Sequence, residues 1–315
     1  MSTPLISVVI PVFRSVESLE ELVRRLIISL EIITSNFEVI LVDDGSPDNS
    51  WDIISRISKG DGRFKGLRLS RNFGQHPAIT AGLKYSSGEY VVVMDCDLQD
   101  RPEEIPRLYQ MSQQGYEQVV ATRGTRQDSF CKRNSSRIYV GILSYLSGYR
   151  INPAVSNFGI YRRCVIDVIT SLKEQGRTFG LLALWAGFRR TELEVKHAER
   201  PYGESSYSYQ ALLKLGLLGI LSHTDKPLKL SIKFGAYLTA TSLAGGCWIA
   251  LRQIIWGHTP IGWTSVMVAI IFLTGIILSS IGIVGLYVAQ SFEEVKERPT
   301  SIIWETTMRS HSENS

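Results

Sequence analysis

Between Arg252 and Glu293 the chain carries no Asp, Glu, Lys or Arg. A helix that is apolar on every face is stable only inside a large core or in lipid, so this stretch limits the architecture first. Two spans are expected. Trp263 to Ala289 is long enough for the ~30 Å hydrocarbon core of a bilayer, and Phe234 to Leu251 is a shorter uncharged run whose flanking Lys233 and Arg252 can snorkel. The connector from Trp256 to Trp263, WGHTPIGW, has turn residues and a tryptophan at each edge, as at a membrane interface. Lys226, Lys229 and Lys233 precede the first span and Lys296, Arg298 and Arg309 follow the second, whereas the connector offers only His258. By the positive-inside rule both outer flanks are expected in the cytosol. Tyr209 to Ser222, apolar with Lys214 and glycine interruptions, reads as an interfacial amphipathic helix.

The rest of the 315 residues is ample for a core of its own. Ile6 to Val12, Phe37 to Val42, Phe64 to Leu69, Tyr90 to Met94 and Gln118 to Thr122 read as strands, and the β-branched run Tyr90 to Met94 as one covered on both faces. Between them lie helical stretches: Leu19 to Ile33, Ser46 to about Lys59, His76 to Tyr85 and Asp100 to about Gln114. Ser18 with Glu21, and Asp100 with Glu103, read as capping boxes. Asn157 to Tyr161 is a further strand, Arg163 to Leu172 a helix and Thr191 to Glu199 an extended segment. Strands alternating with helices imply a mainly parallel, doubly wound α/β sheet. The expected domains are an α/β domain over 1–207, juxtamembrane amphipathic helices over 208–232, two transmembrane helices over 233–290 and a cytosolic C-terminal tail over 291–315.

In such sheets ligands bind beyond the carboxyl ends of the strands. Asp43-Asp44, Arg71-Asn72 and Asp95-x-Asp97 all fall at those ends. Strand alternation aims Asp95 and Asp97 the same way, and two converging carboxylates repel unless a cation lies between them. A hard divalent ion with oxygen ligands suits them and would hold a diphosphate. Asp43-Asp44-Gly45 reads either as a turn or as a carboxylate pair for a ribose or the imide edge of a base. Arg71 is either a surface charge or a phosphate partner.

Arg123 to Arg137 gathers Arg123, Arg126, Lys132, Arg133 and Arg137 against Asp128. It reads either as a solvated charge run or as an anion-receiving loop. Arg200 to Tyr207, RPYGESSY, is a polar loop with a cation and hydroxyls suited to closing over a phosphate.

Other classes find no support. A net charge of +4, scattered, argues against nucleic acid. Cys96, Cys131, Cys164 and Cys247 form no C-x-x-C pair, so neither zinc nor a disulfide framework is suggested, and reduced cytosolic thiols are expected. The chain opens without signal-peptide features and contains no G-x-G-x-x-G or P-loop.

Together VVIPVF with Glu17 after it, ILVDDGSPDNS, LSRNFGQHPAITAGL, MDCDLQDRPEEIP, the Gly-x-Ser loop, SHTDKPLKLS and GLYVAQSFEEVKERP resemble a known group. This is the polyprenyl-phosphate branch of the family 2, GT-A fold glycosyltransferases, which includes bactoprenol glucosyltransferases, the aminoarabinose-lipid transferase and dolichol-phosphate mannose synthase. The resemblance covers nearly the whole chain. It implies a Rossmann-like GT-A domain in which Pro11, Glu17, Asp43 and Asp44 hold the nucleoside and Arg71 and Asn72 its phosphates. Asp95, Asp97 and Gln99 would hold Mg2+ or Mn2+, with Asp95 also at the nucleotide. Asp97 and Asn157 would stand at the catalytic centre. Arg123, Arg126, Lys132, Arg200 and Ser205 would meet acceptor or leaving phosphates.

The implied reaction moves one sugar from a nucleoside-diphosphate sugar, UDP first and GDP second, to polyprenyl phosphate. The expected setting is the cytosolic leaflet of a bacterial inner membrane, with a multi-pass chain whose termini are both cytosolic. A homo-oligomer is compatible with this reading, and no nucleic-acid partner is expected. Three positions depart from the family pattern. Arg14-Ser15 stands where Asn-Glu is usual, Ser206 where the loop has lysine, and Asn157-Phe158-Gly159 where Asp-Phe-Arg is usual. An amide cannot accept a proton, but a phosphate monoester is already anionic at neutral pH, its second pKa being about 6. The rival readings are transfer to a glycan hydroxyl, for which the Gln-x-x-Arg-Trp motif is missing, and a catalytically silent membrane scaffold.

Overall fold

The computed structural model describes residues 3–123, 144, 152, 154–172, 174, 178–196, 226–256 and 262–308. The strands are β1 (Ile6–Val12), β2 (Phe37–Asp43), β3 (Phe64–Leu69), β4 (Tyr90–Val93), β5 (Gln118–Arg123), β6 (Val155–Arg162), β7 (Arg190–Val195) and β8 (Ile303–Thr306). The helices are α1 (Val16–Glu31), α2 (Ser50–Gly60), α3 (Gln75–Tyr85), α4 (Ile105–Ser112), α5 (Arg163–Ser171), α6 (Phe179–Trp185), α7 (Lys226–Trp256) and α8 (Trp263–Val295).

The strands form one sheet in the order β7-β5-β6-β4-β1-β2-β3-β8. β3, β2, β1 and β4 are parallel neighbours. β6 runs antiparallel to β4 and β5, and β8 antiparallel to β3. The sheet is therefore mainly parallel, as expected. Because β2 and β3 extend to one side of β1 while β4 lies on the other, the strand order reverses at β1. That reversal opens the crevice in which such sheets take ligands.

Alternation along the strands splits the core in two. Val8, Ile10, Val39, Leu41, Val92 and Met94 pack on one face with Leu19, Leu22, Leu26 and Leu30 of α1. Val9, Ile40, Val42, Val91 and Val93 pack on the other with Ala78 and Ile79 of α3 and Val165 and Ile169 of α5. Each of the four α1 leucines is fully buried, and burying such a side chain stabilises by about 1.5–3 kcal/mol. The bare apolar runs of β1, β2 and β4 are thus those of strands covered on both faces.

Several local expectations are corrected. α1 starts at Val16, before the anticipated Ser18 box, and Ser18 Oγ donates back to the Ser15 carbonyl. Glu21 pairs with Arg24 and Glu103 with Arg25, so neither closes a capping box. Ser46, where the helix was expected to open, lies ahead of α2, which begins at Ser50. Its hydroxyl accepts the Arg14 N–H while its own N–H donates to Asp43 Oδ1. Helix α6 was not anticipated, nor was β8 inside the segment expected to be only a tail.

Two compact units result. The first comprises Met1–Val140, Ile151–Ser208 and Arg298–Ser315, and the second Gly141–Arg150 and Tyr209–Glu297. The second contains α7 and α8, which pack on each other. Phe272–Val295 within α8 is long and apolar enough to cross a membrane, with mean hydropathy 2.1, and none of it is buried inside the protein. It is the one such stretch among the described residues, so two spans are not established by length and hydropathy alone. α7 nonetheless exposes Leu230, Phe234, Tyr237, Trp248 and Leu251. The expected interfacial helix at Tyr209 to Ser222 lies outside the described residues.

Candidate active site

The carboxyl end of β2 delivers Asp43 and Asp44, both buried. Backbone N–H groups of Phe73 and Gly74 donate to Asp44 Oδ1 and Oδ2 at 2.7 and 2.8 Å. Burial raises the Asp44 pKa, and those two hydrogen bonds oppose the rise. Asp43 is fully buried, and burial raises its pKa too, against the pull of Ser46 and of the Arg68 charge. Its Oδ2 has no hydrogen-bond partner, with Arg68 Nε standing 3.5 Å away. A buried carboxylate oxygen without a donor is costly, which suits a pocket whose donor arrives with a ligand. Gly45, at φ +62°, lets the β2 and β3 loops touch backbone to backbone. A Cβ there would lie 2.5 Å from the Arg71 carbonyl carbon.

Asp95 and Asp97 follow β4, half-buried and flanking the buried Cys96. Gln75 Nε2 donates to Asp95 Oδ1 at 2.6 Å, the Asp95 N–H donates to Asp100 Oδ2, and the Gln99 N–H donates to Asp97 Oδ1. Asp100 therefore closes the acidic loop instead of capping a helix, and one 3-10 turn, Pro102–Glu104, precedes α4. Leu98 holds φ +62° with its side chain buried, so packing imposes the backbone strain of this loop. Burial pushes the Cys96 thiol up to about 11, and its sulfur lies 3.0 Å from Ser15 Oγ. It is a packed thiol, not a nucleophile.

Around this centre Pro11 is buried near the end of β1, and Glu17 is exposed in the first turn of α1. Arg71 and Asn72 are exposed at the end of β3, the Arg71 guanidinium lying 4.4 Å from the centre of the Phe73 ring. Asn157 is half-buried at the start of β6. Val93, the last residue of β4, pairs with Gly159, two residues beyond Asn157 on β6. At Gly159 a Cβ would lie 2.8 Å from the Val119 carbonyl oxygen, so β5 leaves no room for a side chain. Arg14, in the usual asparagine position, has φ +53°, a conformation that asparagine tolerates better than arginine. Arg123 ends β5, whereas Arg126, Lys132, Arg200, Ser205 and Ser206 lie outside the described residues. Gln75 and Arg68 were not anticipated, although Gln75 directly follows the Arg71-to-Gly74 turn.

The described residues contain no group of three His, Cys, Asp or Glu able to cage a metal ion. Asp95 and Asp97 alone suit a hard divalent ion of the Mg2+ kind, which commonly takes one or two carboxylates and completes its shell with water and substrate phosphates. The donor set fits such an ion only when the substrate supplies the remaining oxygens.

Acids from strand ends on either side of β1, at the switch point of a mainly parallel sheet, fit a GT-A-like α/β fold. Residues 7–168 match the family described as Glycosyl transferase family 2. A Pseudomonas syringae protein named undecaprenyl-phosphate 4-deoxy-4-formamido-L-arabinose transferase is 35% identical, over 98% of this chain and 92% of its own length. The uncharacterized glycosyltransferase YkcC of Bacillus subtilis is 34% identical, over 94% of this chain and 92% of its own. Among solved structures, glucosyl-3-phosphoglycerate synthase from Mycobacterium tuberculosis, in complex with Mn2+, UDP and phosphoglyceric acid, superposes with a TM-score of 0.50 at 18% identity. That match covers 70% of this chain and 77% of the synthase, and it shows a shared fold. The chain belongs to glycosyl transferase family 2 and is a glycosyltransferase.

Proposed function

We propose that this enzyme transfers a single sugar from a nucleoside-diphosphate sugar to polyprenyl phosphate at the cytosolic face of a bacterial inner membrane. The carrying observation is the reach of the similarity: relatives named undecaprenyl-phosphate transferases align over 98% of the chain, apolar helices included. An acceptor that is already anionic needs alignment and charge compensation more than proton removal, which accords with an amide at Asn157.

Asp43 supplies a buried acceptor oxygen for the nucleoside, and Asp44 fixes the Phe73-Gly74 backbone beside it. Pro11 and Glu17 line the β1 side, and Arg71 and Asn72 offer a cation and an amide to the diphosphate. Asp95 and Asp97, with Gln99, would hold Mg2+ or Mn2+, whose charge offsets that of the departing diphosphate. Arg123, Arg126, Lys132, Arg200 and Ser205 are assigned to the phosphate of the acceptor or leaving group. UDP is the first donor to test and GDP the second.

Topology supports a helical hairpin. Residues on both sides of the helical pair belong to one compact unit. That accords with a chain that crosses the bilayer an even number of times between them. With Phe272–Val295 as one crossing, α7 would supply the other. The juxtamembrane helices over 208–232 and the cytosolic termini complete this reading.

The test is incubation of detergent-purified protein with labelled nucleotide sugars, Mn2+ or Mg2+ and undecaprenyl phosphate. Organic-extractable label is expected. Label appearing only with a glycan acceptor would overturn the proposal.

A further inference from the structure

We propose that Arg68 is a positioning residue for the nucleoside pocket, and that the C-terminal strand β8 holds it in place. The proposal rests on the reading of Asp43 as a nucleoside contact.

In register, Arg68 stands between Asp43 of β2 and Glu305 of β8, forming one row across three strands. Its Nε lies 3.5 Å from Asp43 Oδ2, and its Nη1 lies 3.7 Å from Glu305 Oε2. The guanidinium carbon is 4.7 Å from the centre of the Trp304 ring and 5.8 Å from that of Trp51. A planar cation held near two indole rings and two carboxylates loses rotamer freedom, so its position against Asp43 depends in part on side chains from β8. The residue just before β8 also reaches the proposed phosphate side of the pocket, where the Ser70 N–H donates to the Ile302 carbonyl at 2.9 Å. Ser70 directly precedes Arg71 and Asn72.

β8 is anchored independently of Arg68. The Gly66 N–H donates to Thr307 Oγ1, Thr306 Oγ1 donates to the Gly66 carbonyl, and Thr307 and Ser58 share a hydrogen bond. Loss of Trp304 or Glu305 side-chain atoms should therefore leave the strand paired and release Arg68. Asp43 Oδ2 would then keep neither a hydrogen bond nor a fixed neighbouring cation. A ligand donor would meet a carboxylate whose charge and orientation are no longer set. The strand that follows the apolar helices is thus part of the donor site.

The experiment uses the full-length protein in detergent and measures binding of UDP and GDP with Mn2+, donor KM, kcat and thermal stability. Trp304→Ala, Glu305→Gln and Arg68→Gln should each weaken nucleotide binding by roughly three- to tenfold, raising KM with little change in kcat. Arg68→Gln combined with Trp304→Ala should lose no more than Arg68→Gln alone, because both act through one guanidinium. Arg68→Lys, which keeps charge without the planar stack, should fall between wild type and Arg68→Gln. Unchanged nucleotide binding in Trp304→Ala and Glu305→Gln, with Arg68→Gln impaired, would overturn the role of the strand. Additive losses in the double variant would overturn action through Arg68. Failure of the wild-type protein to bind either nucleotide would overturn the pocket itself, an outcome separable from the other two.

Discussion

The Gln75 side-chain amide donates to Asp95 Oδ1 at 2.6 Å, and the two residues before it hold Asp44 through their backbone N–H groups. One short segment at the start of α3 therefore fixes acids carried by β2 and β4, on either side of β1. Asp95 is a proposed metal ligand, and removing a partner that orients such a carboxylate commonly costs about 10- to 100-fold in metal affinity or activity. Gln75→Ala should raise the Mn2+ concentration needed for half-maximal transfer by at least about tenfold. It should also weaken Mn2+ binding measured directly by electron paramagnetic resonance. Identical metal titrations for the two proteins would remove Gln75 from that role.

Asp97→Ala should abolish label transfer while the unfolding temperature stays close to that of the wild type. Asp97 is half-buried, and its Oδ1 accepts the Gln99 N–H across a short turn. Retained turnover would take this aspartate out of the proposed metal site.

Arg14 sits at φ +53° on the exposed turn after β1. A left-handed conformation costs an ordinary L residue about 1–2 kcal/mol, and asparagine less. Arg14→Asn should therefore stabilise the protein by about 0.5–1 kcal/mol in urea unfolding. The Arg14 guanidinium lies 5.3 Å from the centre of the Phe13 ring, and an unchanged or lowered midpoint would show that this contact outweighs the strain.

Glu38 is buried at the opposite end of the sheet. Burial alone would raise its pKa, but hydrogen bonds from Lys65, Ser7 and Ser87 bring it below the ordinary value. A carboxyl whose folded pKa lies below its unfolded value, about 4.3, stabilises fully above that pH and loses the effect as pH falls toward the folded pKa. Glu38→Gln should cost about 1–3 kcal/mol at pH 7, and the difference from wild type should shrink below about pH 4. A pH-independent difference would assign the cost to packing.

With a phosphate acceptor, transfer should decline as pH falls through about 6, following the acceptor's second ionisation. Asn157→Ala should keep that midpoint, whatever its effect on rate, because an amide does not titrate. A midpoint that moves in Asn157→Ala would tie the ionisation to the protein environment of this residue.

The sequence by itself determined most of the elements, α6 and β8 excepted, and the edge of the sheet that carries the candidate site. Apolar runs such as Tyr90 to Met94 have to be covered on both faces, and strands alternating with helices give a parallel sheet whose polar strand ends share one edge. Asp43, Asp44, Arg71, Asp95 and Asp97 therefore read as one group at that edge, which is what their assignment to a site is proposed from. The charge-free stretch after Arg252 was equally legible, because lipid and core are the only surroundings it tolerates.

Tertiary structure decided how these groups are used. Asp100 resembles a helix cap in sequence, yet it bonds the Asp95 N–H, since folding brings that donor closer than any helix terminus. Ser46 likewise serves the β1 loop through Arg14. Gln75 meets Asp95 only because β4 lies across β1 from β3, and Arg68 acquires Trp304 and Glu305 from a strand at the far end of the chain. Local sequence fixes backbone preference and side-chain period, which act over a few residues. Partnerships between distant strands depend on sheet order and register, and these are settled only when the whole core packs.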